Sequence, residues 1–188
     1  MLIGITGRIG AGKETLTMFL RGKGFRYFET SLLLKEELQK KRQIITRENM
    51  QNMGDKLRKE QGPEILMKMF LEKIDSKEDY IIDSLRKTGE VEFMRKNLKN
   101  FFLIGVDAFQ KLRFERILSR NKSSDPKIWE EFLKIDNRDF FDSNNKMGQQ
   151  TGKCIELADF KIINNGSLEE LKNKVENVWN EIKSKQIT

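Results

Sequence analysis

The chain has 188 residues, of which 37% are hydrophobic and 35% are charged, and its net charge at neutral pH is +7. This length and composition predict one globular domain with a complete core, spanning residues 1–188. The absence of histidine excludes histidine acid–base catalysis and histidine-ligated metals, and the single cysteine excludes an internal disulfide and a cysteine-cluster zinc site.

The first predicted element is a short apolar strand at residues 2–5, which leads into Gly-x-x-x-x-Gly-Lys and then into a helical pattern. Strand, glycine-rich loop and helix in this order are the context of a phosphate-binding loop. Its glycines let backbone N–H groups approach an anion, and the helix dipole and Lys13 add positive charge. A glycine-rich surface turn is the alternative interpretation. The predicted nucleotide-binding residues are Gly7, Arg8, Ile9, Gly10, Ala11, Gly12, Lys13, Glu14 and Thr15.

The position after Lys13 departs from the common motif. A Ser or Thr that binds Mg²⁺ usually stands there, whereas this chain has Glu14 and places the hydroxyl one residue later, at Thr15. We therefore predict Thr15 as a metal ligand. A carboxylate beside a triphosphate is repelled unless a metal ion intervenes or the Glu14 side chain points outward.

Four further strand-like runs follow at residues 25–28, 80–82, 101–106 and 160–163, with helical patterns between them. Strands that alternate with helices indicate a parallel sheet covered on both faces. The predicted fold class is therefore α/β, a P-loop NTPase with a five-stranded parallel sheet flanked by helices. Two helix starts carry capping signals, one at Asp125-Pro126 and one at Ser167, which forms a capping box with Glu170.

The segment between the second and third strands, about residues 30–75, is predicted to be a helical insert that binds the acceptor. In kinases of small phosphorylated acceptors this segment builds the acceptor pocket, and several cations are needed there because the acceptor and donor phosphates repel each other. For any single residue of this segment, a charged helix surface is the better explanation. The candidates are Ser31, Lys35, Arg47, Gln51 and Arg58.

The third strand ends in Asp83, and Arg86 follows three residues later. Ligands of open α/β sheets bind at the carboxyl ends of strands, so Asp83 would lie beside the phosphate-binding loop. There it can hold Mg²⁺ or orient an acceptor oxygen, while the planar guanidinium of Arg86 can bind an acceptor phosphate. The alternative is an aspartate that caps the next turn and a solvated arginine.

Three arginines, Arg113, Arg116 and Arg120, share one face of a later helical pattern, and Arg138 follows downstream. A mobile lid over about residues 113–145 would place positive charge on the reacting phosphates and exclude water. We predict that Arg116 and Arg120 act in catalysis and that Arg138 binds substrate. A helix that carries surface salt bridges is the alternative.

Together these motifs resemble the P-loop kinase-like domains related to phage deoxynucleoside monophosphate kinases, phosphomevalonate kinase and dephospho-CoA kinase. In the monophosphate kinases the hydroxyl two places after the lysine binds the metal, as Thr15 would here. The resemblance is strongest to the version found in front of deoxycytidylate deaminase domains, whose zinc motifs this chain lacks. The matching segments are residues 7–15, 34–37, 46–58, 82–92, 113–116 and 154–171.

The resemblance implies transfer of the γ-phosphoryl group of ATP, with Mg²⁺, to a nucleoside or deoxynucleoside monophosphate. It assigns catalytic roles to Lys13, Asp83, Arg116 and Arg120, and metal binding to Thr15 and Asp83. Two alternatives stay open. One is a nucleotide-binding regulatory module of deoxynucleotide metabolism without turnover, for which Glu14 is the supporting feature. The other is dephospho-CoA kinase. The pattern of that family has an acidic motif after the second strand, whereas residues 28–31 of this chain are Phe-Glu-Thr-Ser, which argues against that substrate.

The partners follow from the charge and from the resemblance. The positive charge suits small polyanions such as nucleotides, and since no aromatic-rich RNA motif or zinc finger accompanies the scattered lysines, nucleic acid is not an expected partner. The resemblance implies a separate deaminase or another enzyme of nucleotide metabolism as a protein partner. No apolar run approaches the about 20 residues of a membrane helix, and no basic region precedes the first apolar run. We therefore expect a cytoplasmic protein without a membrane partner.

Overall fold

A parallel sheet forms the centre of the fold in the computed structural model. The structure describes residues 1–122, 125–140 and 149–186, and of these it leaves out the side chains of Arg47, Glu48 and Gln186. Within these residues five strands lie in the order β2-β3-β1-β4-β5, and every neighbouring pair is parallel. The strands are β1 (Leu2–Gly7), β2 (Arg26–Phe28), β3 (Tyr80–Ile82), β4 (Phe101–Asp107) and β5 (Phe160–Ile163). The predicted five-stranded parallel sheet is thereby confirmed.

Helices cover both faces of the sheet, because the strands are apolar on both sides. Along β1, Leu2 belongs to one core cluster and Ile3 to the other, and both side chains are almost completely buried. The helices are α1 (Lys13–Gly22), α2 (Thr30–Lys40), α3 (Arg47–Gln61), α4 (Ile65–Lys73), α5 (Thr88–Asn97), α6 (Gln110–Arg120), α7 (Trp129–Phe140), α8 (Thr151–Glu156) and α9 (Leu168–Gln186). None of the helices described is both long and apolar enough to cross a membrane.

The strand register brings the residues that follow each strand to one edge of the sheet. Phe28 pairs with Ile82, so the residues after β2 and β3 are neighbours, and Gly7 pairs with Val106 at the end of β4. In parallel sheets this carboxyl edge is where ligands bind. The loop after β1, the turn after β3 and the loop after β5 therefore meet at one place.

The two capping signals had different outcomes. Ser167 Oγ accepts a hydrogen bond of 3.1 Å from the backbone N–H of Glu170, so α9 is capped as predicted. The prediction of a helix start at Asp125 was wrong, since α7 begins at Trp129. The Asp125 carboxylate instead accepts two hydrogen bonds from Arg120, at 2.7 and 2.8 Å. Part of the predicted lid, at residues 123, 124 and 141–148, lies outside the described residues.

Candidate active site

The loop between β1 and α1 has a backbone that only glycine fits at two positions. Gly10 and Gly12 have φ angles of 76° and 105°, in the left-handed region. A Cβ atom at Gly10 would lie 2.5 Å from the carbonyl oxygen of Arg113, and one at Gly12 would lie 2.5 Å from Nδ2 of Asn164. The loop therefore packs closely on α6 and on the residue after β5, which fixes its shape.

The Lys13 ammonium group lies against the loop that precedes it. It donates hydrogen bonds of 2.9 Å to the Gly7 carbonyl and 3.2 Å to the Arg8 carbonyl. Burial lowers the pKa of Lys13 to about 8, against the raising effect of the nearby Asp83 carboxylate. A buried cation held by neutral carbonyls is stabilised by an arriving anion.

The Glu14 side chain, which follows Lys13 at the start of α1, is 62% exposed. Its carboxylate forms an ion pair with Lys122 and lies 3.9 Å from Arg120. The hydrogen bond from Lys122 lowers the pKa of Glu14. Its negative charge is therefore offset by two cations that come from the end of α6 and the segment after it.

The phosphate-binding loop opens into a cavity of about 420 Å³, here called the loop cavity. Arg116 and Arg120 line it together with loop residues 9–15. Arg116 is fixed to the loop after β5, because it donates hydrogen bonds of 2.9 Å to the Asn164 carbonyl and 3.3 Å to the Gly166 carbonyl. Arg8 and Gly7 do not belong to this lining, so within the described structure the loop contributes residues 9–15 rather than all of 7–15.

A second cavity, of about 580 Å³, lies beside α2, α3 and the turn after β3 and is here called the insert cavity. Five of the candidate acceptor residues line it, and Lys35 is not part of its described lining. Arg47 belongs to α3, but its side chain lies outside the described atoms. The candidates that line the insert cavity are Ser31, Gln51, Arg58, Arg86 and Arg138.

The two cavities meet at the carboxyl end of β3. The turn there is held to β1 by a hydrogen bond of 3.0 Å from the Leu85 N–H to the Ile5 carbonyl. Ser84 has a φ of 64°, a conformation that non-glycine residues seldom adopt and that recurs at functional sites. The residues that line both cavities are Gln51, Asp83, Ser84, Arg86, Arg138 and Gln149.

Two arginines of the insert cavity, Arg58 and Arg86, have polar side-chain partners. Arg58 Nη2 lies 3.2 Å from the carboxylate of Glu90, which is buried, and Arg58 Nε has no hydrogen-bond partner among the described atoms. Arg86 Nη1 lies 3.4 Å from Oε1 of Gln149. Both guanidinium groups line the insert cavity, where their positive charge suits an anionic group.

Two residues that the sequence analysis missed, Tyr27 and Glu29, line the insert cavity. Burial raises the pKa of Tyr27, and the Asp83 and Glu29 carboxylates, which its hydroxyl contacts, raise it further. A signal for Glu29 was present, because it follows β2 as Asp83 follows β3. The strand register then makes the two carboxylates neighbours.

Arg113, which the spacing placed on the arginine face of a lid, is instead buried. Only 1% of its side chain is exposed, and it forms a two-pronged ion pair with Asp136 at 2.5 and 2.8 Å. Arg113 therefore links α6 to α7 and to the phosphate-binding loop, and a mobile lid over about residues 113–145 stays a prediction.

The residues of the loop cavity fit a nucleoside triphosphate with Mg²⁺. The glycine conformations leave the loop backbone free to approach phosphate oxygens, and the buried Lys13 adds a positive charge beside them. Thr15 and Asp83 line the same cavity and offer a hydroxyl and a carboxylate, the oxygen ligands that Mg²⁺ prefers. Lys13 and the loop would hold the phosphates, and Thr15 and Asp83 would hold the metal.

Comparison with known proteins places the chain among relatives of similar length. No family model matches it. A UPF0200 protein of Methanocaldococcus jannaschii is 32% identical over 97% of this chain and 90% of its own length. A UPF0200 protein of Pyrococcus horikoshii is 30% identical over 98% of each chain.

Solved structures show the fold. A Thermus thermophilus protein superposes with a TM-score of 0.60 at 19% identity, over 96% of this chain and 97% of that one. Shikimate kinase from Aquifex aeolicus superposes with a TM-score of 0.57 at 15% identity, over 100% and 99% of the two chains. The fold is that of the P-loop kinases.

Proposed function

The chain belongs to the UPF0200 family, and we propose that it transfers the γ-phosphoryl group of ATP, with Mg²⁺, to a nucleoside or deoxynucleoside monophosphate. One observation carries this proposal. The loop cavity and the insert cavity share Asp83 and Arg86, so a donor on the phosphate-binding loop and an acceptor beside α3 would face each other. Phosphoryl transfer depends mainly on such positioning and on charge neutralisation.

Each group then has a defined role. Lys13 and the loop amides bind the donor phosphates, and Thr15 and Asp83 hold Mg²⁺, which neutralises charge on those phosphates. On the acceptor side, Arg58 and Arg86 bind the acceptor phosphate. An oxygen of that phosphate forms the new bond to the γ-phosphorus, and the bond from the γ-phosphorus to the leaving ADP oxygen breaks. Arg116 and Arg120 add positive charge in the loop cavity, and Arg138 adds it where the two cavities meet.

A hydroxyl acceptor, as in dephospho-CoA kinase, is the second candidate, and Glu29 favours it. Its carboxylate lines the insert cavity beside the Asp83 end of β3, where a general base for a hydroxyl would stand. A phosphate acceptor needs no such base, because its oxygens are already ionised. Replacement of Glu29 therefore separates the two candidates.

The regulatory alternative rested on Glu14. Because the Glu14 carboxylate is paired with Lys122, its charge does not argue against a bound triphosphate. A link to deaminases, the relation to phosphomevalonate kinase and a cytoplasmic location stay predictions.

The test is ADP release with Mg-ATP and a panel of acceptors, measured for the wild type, Lys13→Ala and Glu29→Gln. We expect acceptor-dependent ADP formation by the wild type and none by Lys13→Ala. Retained turnover in Glu29→Gln supports the monophosphate acceptor, and lost turnover with retained ATP binding supports a hydroxyl acceptor. If no monophosphate and no hydroxyl compound stimulates ADP release, the kinase proposal fails in favour of the regulatory one.

A further inference from the structure

A buried carboxylate on α7 gathers side chains from two other parts of the chain. Asp136 is 1% exposed. It accepts hydrogen bonds of 2.5 and 2.8 Å from Arg113 and of 2.5 and 3.0 Å from Arg8. Gln110 Nε2 adds another at 3.0 Å. Both oxygens of one carboxylate are thus fully used by donors from the phosphate-binding loop and from α6.

The same cluster holds the backbone of the phosphate-binding loop. Arg113 Nη1 also donates a hydrogen bond of 3.1 Å to the Ile9 carbonyl, and Arg113 Nε donates one of 3.0 Å to the Ala108 carbonyl. The Arg8 guanidinium lies 4.4 Å from the ring centroid of Phe140, on α7. One loop residue is therefore fixed through its side chain and the next through its carbonyl.

The charges in this cluster depend on one another. Two arginines face Asp136, and Asp107 lies 3.6 Å from Arg113 as a second carboxylate. Removal of one member from a buried ion cluster leaves the others desolvated and unpaired, so the cluster acts as a unit. Burial alone would raise the pKa of Asp136, but the hydrogen bonds from Arg113, Arg8 and Gln110 outweigh it and hold the pKa below its usual range.

Helix α7 also lines both cavities. Close to Asp136 in the chain, it contributes Ile135, Arg138 and Asp139 to the loop cavity, and Arg138 lines the insert cavity as well. We propose that Asp136 is a positioning residue that fixes the phosphate-binding loop relative to α7, and thereby sets the place of Arg138 beside the donor phosphates. The expected effect on nucleotide binding rests on the proposed function, whereas the expected effect on the position of the loop does not.

Two variants test this role independently. Asp136→Asn keeps the shape of the side chain and removes its charge. Arg8→Gln removes the direct link between Asp136 and the loop, and leaves in place the pair between Arg113 and Asp136 and the hydrogen bond from Arg113 to the Ile9 carbonyl. Lys134→Gln, an exposed charge change on the same helix, is the matched control. Arg8→Gln keeps the test valid if Asp136→Asn does not fold, because Arg8 is the more exposed partner.

The first readout is amide hydrogen exchange of the nucleotide-free protein. We expect exchange of residues 8–12 to rise at least about tenfold in both variants and not in the control, while β1 and β4 keep their protection. The second readout is ATP binding by calorimetry. We expect a loss of about tenfold or more in each variant, and a double variant no weaker than the worse single one, since both act through one contact.

Unchanged exchange at residues 8–12 in Arg8→Gln would overturn the positioning role, as would effects that add in the double variant. If the wild type itself binds no ATP, the proposed function fails, and the exchange measurement still decides the role of Asp136.

Discussion

The Lys13 ammonium group donates a hydrogen bond of 2.9 Å to the carbonyl oxygen of Gly7, six residues earlier in the same loop. Its partners in the loop are neutral, and burial lowers its pKa to about 8. A phosphate anion placed beside this group would stabilise its charged form. The protonation of Lys13 therefore shows whether an anion binds at the loop.

Proton uptake on ATP binding should depend on pH. In the free protein Lys13 is charged below a pH of about 8 and increasingly neutral above it. Bound phosphates raise the pKa of Lys13 again. The protein should therefore take up close to one proton when it binds ATP near pH 9, and almost none at pH 6.5. Calorimetry in two buffers of different ionisation enthalpy measures this uptake. Tight binding near pH 9 without uptake, or the same uptake in Lys13→Met, would contradict the assignment.

Loss of the Arg86 guanidinium should affect the acceptor more than the donor. A charge-assisted contact to phosphate contributes about 1.5–3 kcal/mol, so Arg86→Ala should raise the acceptor KM more than tenfold, or lower kcat, with ATP affinity nearly intact. Steady-state kinetics at varied acceptor and varied ATP make this separation. Arg26→Ala is the control, because Arg26 is exposed, is paired with Glu78 and is not part of the described lining of either cavity. A variant that lost ATP affinity and kept acceptor kinetics would place Arg86 on the donor side.

Neutralising Glu14 should strengthen ATP binding. The pair with Lys122 is exposed, so its loss should change stability by less than about 1 kcal/mol. Glu14→Gln removes a negative charge near the phosphates and frees Lys122, and we expect about threefold tighter ATP binding at low salt, with the gain lost at high salt. Titration at two salt concentrations checks this. Lost ATP binding in Glu14→Gln would instead make the carboxylate a required ligand.

The charge of Asp136 should stabilise the fold in a pH-dependent way. Its native pKa is lowered, so its contribution is complete above the unfolded value of about 3.9 and disappears as the pH falls through the native pKa. Asp136→Asn should cost about 3 kcal/mol of unfolding free energy at pH 7. Urea unfolding should show this difference unchanged down to about pH 5 and shrinking below pH 4. A difference that did not change with pH would show that packing, not charge, matters at this position.

The sheet could be predicted because each strand is an apolar run of its own between helical patterns, and the order of strand, loop and helix located the phosphate-binding loop. Side-chain partners across the fold could not be predicted. Arg113 and Arg116 share one helical face in the sequence, yet one is buried against Asp136 on another helix and the other lines the loop cavity. The Asp125 cap failed for a different, local reason, since Arg120, five residues earlier at the end of α6, occupies its carboxylate.

The central claim is that donor and acceptor bind in two joined cavities, and a bridged ligand tests it most directly. A compound that joins adenosine to a nucleoside through several phosphates would fill both cavities at once. We predict that calorimetry will show it binding at least about 100-fold more tightly than ATP, because the second contact becomes intramolecular. Arg86→Ala should remove most of that gain. Equal affinity for the bridged ligand and ATP, with no monophosphate bound beside a non-hydrolysable ATP analogue, would contradict the account.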